Sequence, residues 1–400
     1  MFIAGGGPAG ATAALLLARA GHSVVVHEKM RFPRRKVCGE FIAASGVELL
    51  RTLGLGAELD AAAGPEVHTI ALWAGESTFE ARMPAWRAAA PYPRALAREL
   101  LDTLLLEQAR RHGAQVIREA DPAIEARVRI DARGSWHKGP GASDLLGFQA
   151  RLRGVDMPAG TIALIPFSGG YAGLVESGGG RATLACCVRR SSLEALRARG
   201  SPAGDSLLRH MTGRSAGLAR ALRGALREGP WLGAGPLRPG TRSLYRDGAF
   251  AIGNAAGEAH PIVGEGIAMA MRSAALLCDP LSAALKSTGS CRAVSRAYTV
   301  AWWRAFGLRL QSSRRLPVSS SHFALPGTPL RSPGRIEPPL IAPSAGRLPS
   351  WLSPGGVEAR SPVWGRTGPA SAQKVAMRTI RNKFIRFLYR QTEANSMPCR

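Results

Sequence analysis

The chain has 400 residues, of which 53 are Lys or Arg and 28 are Asp or Glu, so its formal net charge is +25. Apolar residues make up 46% of the chain and charged residues 20%, a composition that excludes a wholly disordered protein. The charge alone favours a protein that binds polyanions or a membrane surface. However, 47 of the 53 basic residues are Arg, which fits a coding bias in an Ala- and Gly-rich sequence better than a binding face.

The first forty residues predict a dinucleotide-binding unit. A short strand at 2–4 leads into a G-x-G-x-x-G turn from Gly5 to Gly10, which is followed by an Ala-rich helix and a Val-rich strand that ends at Glu28. Gly5 allows the tight turn, Gly7 lets a pyrophosphate approach the backbone, and Gly10 lets the helix pack closely on the strand. The helix N-terminus offers free N–H groups to phosphates. Glu28 is placed to accept hydrogen bonds from a ribose diol.

Residues 33–40, Pro-Arg-Arg-Lys-Val-Cys-Gly-Glu, follow this unit without a gap. With this segment, the chain resembles the FAD-dependent oxidoreductases of the geranylgeranyl reductase type, which are relatives of aromatic-ring hydroxylases and flavin-dependent halogenases. The resemblance implies that Lys36 lies at the cofactor and that Cys38 is a catalytic thiol near the flavin ring. It also implies that Gly39 and Glu40 border the substrate pocket. The alternative for Cys38 is a small buried packing residue.

Two later segments carry the same resemblance. Residues 94–113 predict a helix with apolar side chains at helical spacing, and the resemblance implies that its Arg98 lies near the FAD phosphates. Residues 249–277 resemble the family block Gly-Asp-Ala-Ala-Gly…Pro…Gly-Glu-Gly-Ile, which implies a glycine turn at the ribityl chain and a helix N-terminus at the flavin. Asn254 stands where the family more often has Asp, and an Asn can also accept a hydrogen bond through its amide oxygen.

The segments together predict a cofactor site and a substrate pocket. The predicted cofactor-binding residues are Gly5, Gly7, Pro8, Ala9, Gly10, Glu28, Lys29, Lys36, Arg98, Gly253, Asn254, Gly257, Pro261, Gly264, Gly266 and Ile267. Phe167 and Tyr171 lie in a segment that resembles the reductase pocket, and ordinary sheet core is the alternative for both. His260 lies inside residues 249–277, which we name the flavin block, and a structural role is favoured for it. The Trp-x-Trp-x-Ile-Pro segment of the halogenases does not occur in the sequence, which disfavours halogenation.

We predict an α/β protein with a Rossmann-like FAD-binding domain that is interleaved with a mixed β-sheet substrate domain. Residues 1–311 form this region. Its FAD-binding parts are 1–63, 92–146 and 246–311, and its substrate-domain parts are 64–91 and 147–245. Residues 312–400 hold 14 basic and 3 acidic residues and predict an irregular Pro- and Arg-rich tail. Within it, 374–390 predicts a basic helix that lies on an anionic membrane, with a solvated or artefactual C-terminus as the alternative.

The predicted activity is reduction of an unsaturated hydrophobic or prenyl-type substrate by reduced FAD. One alternative is a monooxygenase that hydroxylates an aromatic or polyketide-like substrate. Because the first strand is short and the tail differs in composition, a degenerate non-catalytic member is another alternative. The net charge of +25 leaves a polyanion- or membrane-binding protein as a further one. We expect an external reductant such as NAD(P)H and a small hydrophobic substrate. We expect no nucleic acid partner.

The cysteine pattern predicts free thiols and no metal site. The six cysteines stand at 38, 186, 187, 278, 291 and 399, without C-x-x-C spacing and without His at zinc-ligand spacing. The sequence shows neither the pattern of a secretory signal nor an apolar run of the length that spans a membrane. We therefore expect a cytoplasmic protein, with peripheral contact at a membrane surface as an alternative.

Overall fold

The dinucleotide-binding unit predicted for the first thirty residues is present as a strand, a helix and a second, parallel strand. The computed structural model describes residues 1–84, 89–119, 124–135, 143–197, 200–287 and 289–314. These residues lie in one compact unit. From residue 315 onward the predicted tail, with its basic helix at 374–390, lies outside the described residues.

The described residues form eighteen strands, most of which join one of two large sheets. In chain order they are β1 (Phe2–Ala4), β2 (Val25–His27), β3 (Phe41–Ile42), β4 (Thr69–Ala74), β5 (Ser77–Arg82), β6 (Arg94–Ala95), β7 (Gln115–Ile117), β8 (Arg129–Asp131), β9 (Leu145–Arg153), β10 (Thr161–Phe167), β11 (Gly170–Gly178), β12 (Arg181–Arg189), β13 (Leu226–Arg227), β14 (Leu232–Ala234), β15 (Gly240–Thr241), β16 (Tyr245–Arg246), β17 (Ala249–Ala251) and β18 (Gly257–Glu258).

Nine α-helices lie among the described residues, and two single 3₁₀ turns, Gly253–Ala255 and Pro261–Val263, lie between β17 and the eighth helix. The helices are α1 (Pro8–Arg19), α2 (Ala44–Thr52), α3 (Gly56–Ala62), α4 (Arg98–Arg111), α5 (Arg190–Leu196), α6 (Ala203–Thr212), α7 (Ala216–Ala221), α8 (Gly266–Lys286) and α9 (Cys291–Arg314). Helices α5, α6 and α7 follow one another between 190 and 221.

The first sheet has six strands in the order β16-β17-β8-β1-β2-β7. The short β1 lies at its centre and pairs in parallel with β2 and β8 along all three of its residues. Ile3, Val26 and Ile130 are buried at this centre, as expected for parallel strands covered on both faces. The brevity of β1 is thus matched by equally short neighbours, and each of its residues has ladder partners on both sides.

The second sheet has eight strands and is mostly antiparallel. Its main path runs β13-β9-β12-β11-β10-β4-β5, and β14 also pairs with β9. One face carries a compact apolar cluster that α5, α6 and α7 cover, with Leu174, Leu184 and Leu207 fully buried. The residues that alternate with this cluster along each strand lie on the opposite face of the sheet, because successive residues of a strand point to opposite sides.

Helices α1 and α8, which follow the two segments predicted to bind the cofactor, pack against each other. Leu15 and Leu17 of α1 and Leu277 of α8 are fully buried in the same core. Helix α8 is long and apolar enough to cross a membrane, yet 56% of its most apolar window is buried inside the protein. Burial against α1, α2 and α9 makes it a core helix in this structure.

Helix α9 closes the core behind the flavin block. The Trp302 ring is 1% exposed, stacks edge-on against Phe306 with ring centres 5.4 Å apart, and lies against the backbone of Gly257. The Tyr298 hydroxyl donates to the carbonyl of Ala251, 2.9 Å away, at the end of β17. These contacts fix the strand and the turn that follow each other at the predicted ribityl position.

Replacing Trp302 with Ala should therefore lower the free energy of unfolding by about 3–5 kcal/mol, because a fully buried indole leaves a cavity. Urea denaturation measures this change. Trp303 is the matched control, since it neighbours Trp302 in the same helix but is 42% exposed. An equal loss in Trp303→Ala would show that the buried contact with Gly257 is not the source of the effect.

Candidate functional site

The turn from β1 to α1 forms a cradle from which side chains are excluded. Gly5 has φ +104°, and a Cβ there would lie 2.6 Å from the carbonyl oxygen of Ala132. A Cβ at Gly10 would lie 1.8 Å from the carbonyl oxygen of Gly5. A Cβ at Gly7, however, would meet no atom of the described residues within 4 Å. The helix begins at Pro8 with Gly7 as its N-cap, so its free N–H groups face open space at Gly7.

Glu28 is held ready beside this turn. Its side chain is buried, Oε2 accepts from the N–H of Gly6 at 2.9 Å, and Oε1 accepts from the N–H of Met30 at 2.9 Å. The Arg34 guanidinium lies 3.4 Å from Oε2. These donors keep the carboxylate oriented at the end of β2, where the ribose diol of a dinucleotide is expected. Lys29 is exposed next to it.

Cys38 lies against a buried ion pair on α4. Arg98 and Asp102, one helical turn apart, form two hydrogen bonds of 2.8 Å, and both side chains are buried. Burial alone would lower the pKa of Arg98, but the Asp102 carboxylate outweighs it, so the net shift is upward, with the Cys38 sulfur contributing. Arg98 therefore stays charged between Asp102 and the Cys38 thiol. The sequence predicted Arg98 at the FAD phosphates and did not predict Asp102 as its partner.

Glu40 connects this helix to the second sheet. It has φ +58°, is 2% exposed, and its Oε1 accepts from the N–H of Arg98 at 3.0 Å. Its Oε2 accepts from the Thr183 hydroxyl at 2.5 Å, and its own N–H points to the sulfur of Cys38 at 3.3 Å. The carboxylate that was predicted to border the substrate pocket is thus engaged between α4 and β12. Gly39, next to it, is exposed.

Lys36 lies beside the turn that follows β8. Its ammonium is 3.7 Å from the position that a Cβ would take at Gly134. Removal from bulk water lowers the Lys36 pKa, and the neighbouring charges of Arg98 and Arg34 lower it further. An anion bound at this position would relieve that repulsion, as expected for a cofactor phosphate or an anionic flavin.

The flavin block folds onto the N-terminus of α1. Gly253 has φ +60°, and a Cβ there would lie 2.8 Å from the Cβ of Ala9. The N–H of Gly253 donates to the Ser273 hydroxyl at 2.7 Å, which ties the turn to α8. Asn254 is partly exposed at this turn, and its Nδ2 donates to the hydroxyl of Ser135 at 3.1 Å. The predicted ribityl turn and the predicted pyrophosphate turn are therefore neighbours.

The block continues into α8 through the second 3₁₀ turn. Pro261 opens that turn, and Gly264 ends it in the left-handed conformation with φ +68°. Helix α8 starts at Gly266, and Ile267 is buried in its first turn. The predicted helix N-terminus therefore exists, two residues later than the sequence suggested. Its N–H groups are available to the negative charge of a reduced flavin.

The face of the second sheet opposite α5, α6 and α7 meets the flavin block at His260. The Tyr171 and His260 rings are 6.1 Å apart, and Tyr171 pairs with Cys187 across β11 and β12. Burial, with a contribution from Arg189, lowers the pKa of His260 to about 4. Burial, and then Cys187, raises the pKa of Tyr171 well above its usual value, and burial raises the pKa of Cys187 to about 11. At neutral pH these three groups are therefore uncharged.

Phe167 does not share this face with Tyr171, and their predicted common pocket is wrong. In the register of β10 and β11, Pro166 lies opposite Tyr171, while Phe167 lies opposite Gly170. Phe167 is 5% exposed and packs in the core under α5 and α6, with its ring 6.0 Å from His210. Cys186 faces the same core, and Cys187 faces Tyr171, as their adjacent positions predicted.

Among the site residues that the sequence did not single out are Asp102, Thr183, Arg242 and Glu258, of which Arg242 donates to the carbonyl of Asn254 and lies 3.4 Å from Glu258. Only Asp102 left a local signal, since it lies one helical turn after Arg98. The other three reach the site through contacts between distant segments. Among residues 1–84, 89–119, 124–135, 143–197, 200–287 and 289–314, no group of three His, Cys, Asp or Glu side chains is arranged to hold a metal ion.

We predict that Gly7→Val leaves the apoprotein intact and weakens FAD binding at least about tenfold, because the new side chain occupies the open space for the pyrophosphate. Titration of the apoprotein with FAD, followed by fluorescence, measures the affinity. Gly224→Val is the matched control, since a Cβ there also meets open space, in a different part of the chain. Equal affinities in the two variants would contradict the placement of the cofactor.

We also predict that His260 lowers stability in weak acid. Its pKa is about 4 in the folded chain and about 6.5 when exposed, so protons bind preferentially to the unfolded chain between these values. The free energy of unfolding should therefore fall as pH decreases from about 6.5 toward 4, and His260→Asn should remove roughly 1–3 kcal/mol of this loss. Urea denaturation at pH 7 and pH 5 tests this. Exposed His112 serves as control, and the same effect in His112→Asn would contradict the prediction.

Comparison with known proteins bears on this site. Residues 1–129 match the family model described as FAD binding domain. A segment of 58 residues is 45% identical to the menaquinone reductase of Mycolicibacterium smegmatis, and one of 54 residues is 46% identical to that of Mycobacterium tuberculosis. The first match covers 14% of this chain and 14% of that reductase. The chain therefore aligns with about one seventh of the length of these curated relatives.

Solved flavoprotein structures share the fold over most of the chain. The myxobacterial chondrochloren halogenase CndH has a TM-score of 0.67 at 20% identity, covering 78% of this chain and 80% of its own. PqsL, a probable FAD-dependent monooxygenase from Pseudomonas aeruginosa, has a TM-score of 0.66 at 21% identity, covering 80% and 95%. The predicted α/β fold and the FAD cofactor are confirmed. At this coarse level so is an FAD-dependent oxidoreductase, while the geranylgeranyl reductase type stays a prediction. The open glycine cradle and the oriented Glu28, both within the residues that match the FAD binding domain model, fit FAD.

Proposed function

We propose that the chain is an FAD-dependent monooxygenase that acts on a small hydrophobic substrate of aromatic or polyketide-like character. The observation that carries this proposal is the uncharged group of Tyr171, Cys187 and His260, where the face of the second sheet opposite α5, α6 and α7 meets the flavin block. The likeness to the structure of a probable monooxygenase, over 80% of the chain, supports it further. It replaces our first prediction, a prenyl reductase, as the main proposal.

The protonation states of these three groups suit a hydrophobic substrate. A charged side chain in this place would keep water in the pocket, whereas a neutral imidazole, a phenol and a thiol allow an apolar ring to displace it. Nδ1 of His260 accepts weakly from the N–H of Ile262 at 3.4 Å, which places the ring proton on Nε2. His260 can thus donate one hydrogen bond to a polar atom of the substrate and orient it.

The remaining site residues hold the cofactor and order the chain around it. When bound and reduced by an external donor such as NAD(P)H, FAD supplies the electrons with which one oxygen atom of O₂ enters the substrate. The glycine turn and the α1 N-terminus bind the pyrophosphate, and Glu28 binds the adenosine ribose. Glu40 joins α4 to β12, so that Cys38 and the pocket face keep fixed positions.

A reductase is the second candidate, and two observations favour it. The local match to menaquinone reductases is 45% identical, well above the identity to the solved structures. In addition, Cys38 lies against the buried ion pair of Arg98 and Asp102, at the border between α4 and the segment that leads to Glu40. In this case the chain would transfer a hydride from reduced FAD to one carbon of a carbon–carbon double bond, and the protonated Cys38 thiol would be the candidate donor of the proton to the other carbon.

Oxygen dependence separates the two candidates. The FAD-loaded protein is reduced photochemically without oxygen and then mixed with 2-aminobenzoylacetate or menaquinone, with and without O₂. We expect a product from the aromatic probe only with O₂, carrying one oxygen atom from labelled gas. A product that forms without O₂ and still contains two additional hydrogen atoms after its quinol has been reoxidised, and hence at a former carbon–carbon double bond, would reject the monooxygenase and support the reductase.

Cys38→Ser provides a second criterion in the same assay. A monooxygenase should keep its rate within about threefold, whereas a reductase that uses this thiol as an acid should lose about 100-fold or more. Exposed Cys291→Ser is the matched control. A 100-fold loss in Cys38→Ser alone, with FAD affinity unchanged, would contradict the monooxygenase proposal.

A further inference from the structure

Asn254 is anchored at two points. Its backbone carbonyl accepts from Nη1 of Arg242 at 2.7 Å, and its Nδ2 donates to the hydroxyl of Ser135 at 3.1 Å. Arg242 precedes the block in sequence, and Ser135 belongs to the turn after β8. Two separate segments thus fix both the backbone and the side chain of Asn254 at the turn that meets α1.

Glu258 closes these contacts into a ring. Its Oε2 accepts from the Ser135 hydroxyl at 3.0 Å and lies 3.4 Å from Nη2 of Arg242. The Glu258 and Arg242 side chains are about nine-tenths buried, so their charges balance each other away from bulk water. We name the four residues Ser135, Arg242, Asn254 and Glu258 the Asn254 ring.

The hydrogen-bond directions in the Asn254 ring dictate the residue type at 254. The Ser135 hydroxyl has a single proton, which it donates to the Glu258 carboxylate. Its oxygen can then only accept from position 254, so that position must supply a donor. An amide supplies one and an ionised carboxylate does not. With Nδ2 engaged, Oδ1 of Asn254 is the atom left to accept a hydrogen bond from a ligand.

We propose that Glu258 and Asn254 are a coupled pair in which Glu258, through Ser135, orients the Asn254 amide so that Oδ1 accepts from a hydroxyl of FAD. Glu258 and Ser135 are positioning residues, because they act on the cofactor through Asn254. A carboxylate at 254 would compete with Glu258 for one hydroxyl proton and would add a negative charge beside the cofactor phosphates. The Asn at this position therefore follows from the Glu four residues later in the chain.

A double-mutant cycle tests the coupling through FAD affinity. Apoproteins of Asn254→Asp, Glu258→Gln and the double variant are titrated with FAD by fluorescence. We expect Asn254→Asp to bind FAD about tenfold or more weakly, because it introduces a second carboxylate at Ser135. Glu258→Gln should stay within about threefold of the parent, since the new amide oxygen still accepts from Ser135, and the double variant should return to that level.

The exposed Gln115→Glu is the matched control, because it makes the same amide-to-carboxylate change on the edge strand β7. It should leave FAD affinity unchanged. If Asn254→Asp causes a loss of equal size in the parent and in the Glu258→Gln background, the proposal is overturned, since the two positions would then act independently. Thermal unfolding of each apoprotein establishes that the affinities refer to folded chains.

Ser135→Ala keeps the proposal testable if Asn254→Asp does not fold. Without the hydroxyl, the Asn254 amide is free to turn, and FAD affinity should fall about threefold or more. Glu258→Ala, which removes the acceptor of the Ser135 proton, should weaken FAD binding about threefold or more in the parent and change it no further in the Ser135→Ala background, and an equal loss in both backgrounds would refute the coupling. The proposal concerns FAD binding alone, so the results of these affinity measurements do not depend on whether the monooxygenase assay succeeds.

Discussion

The close approach of three backbone segments at the N-terminus of α1 is the constraint on which the rest of the site depends. The Gly5 turn lies against the end of β8, Gly10 lies against Gly5, and Gly253 lies against Ala9. None of these contacts leaves room for a Cβ atom. Because the segments touch through backbone, the positions of the sheet, the helix and the flavin block are fixed with little freedom, and the free N–H groups of α1 point at one place.

The rigid centre is extended outward by buried charges that have partners. Asp102 holds Arg98, Arg98 contacts Cys38, and Glu40 joins the first turn of α4 to Thr183 on β12. Unpaired, each of these ions would be strongly destabilising in a buried position. Because each ion has a partner, its main effect is to fix the relative positions of the segments it joins, since a hydrogen bond constrains the direction between donor and acceptor. Glu40 consequently holds α4 and β12 in fixed relative positions, next to the proposed meeting point of substrate and cofactor.

Local sequence was sufficient for the parts of the site that depend on backbone conformation. Each of these parts lies within one short segment, so the spacing of its residues predicts its geometry. The first segment holds the glycine turn and Glu28 at the strand end, and the second runs from Gly253 to Ile267. Face assignment in the second sheet failed at Phe167 because β10 and β11 carry apolar residues on both faces, and period-2 alternation then gives no direction. The register with β11, which is a tertiary feature, decides it.

The contacts between distant segments could not be predicted from spacing. Glu40 and Thr183 are separated by 143 residues, and Ser135 and Glu258 by 123, so no periodicity relates them. A buried carboxylate needs hydrogen-bond donors, and in the folded chain these donors can come from any segment that packs against it.

The basic residues of this site differ in whether a carboxylate neutralises them, which bears on the net charge of +25. Arg34, Arg98 and Arg242 each lie against a carboxylate in this site, while Lys36 has other cations as its strongest neighbours. An arginine whose guanidinium is already bound to a carboxylate contributes little to a field that attracts polyanions, because the pair is neutral at a distance. Each of these three pairs is therefore neutral and adds nothing to the net charge, and Lys36 stays the predicted partner of the cofactor phosphates.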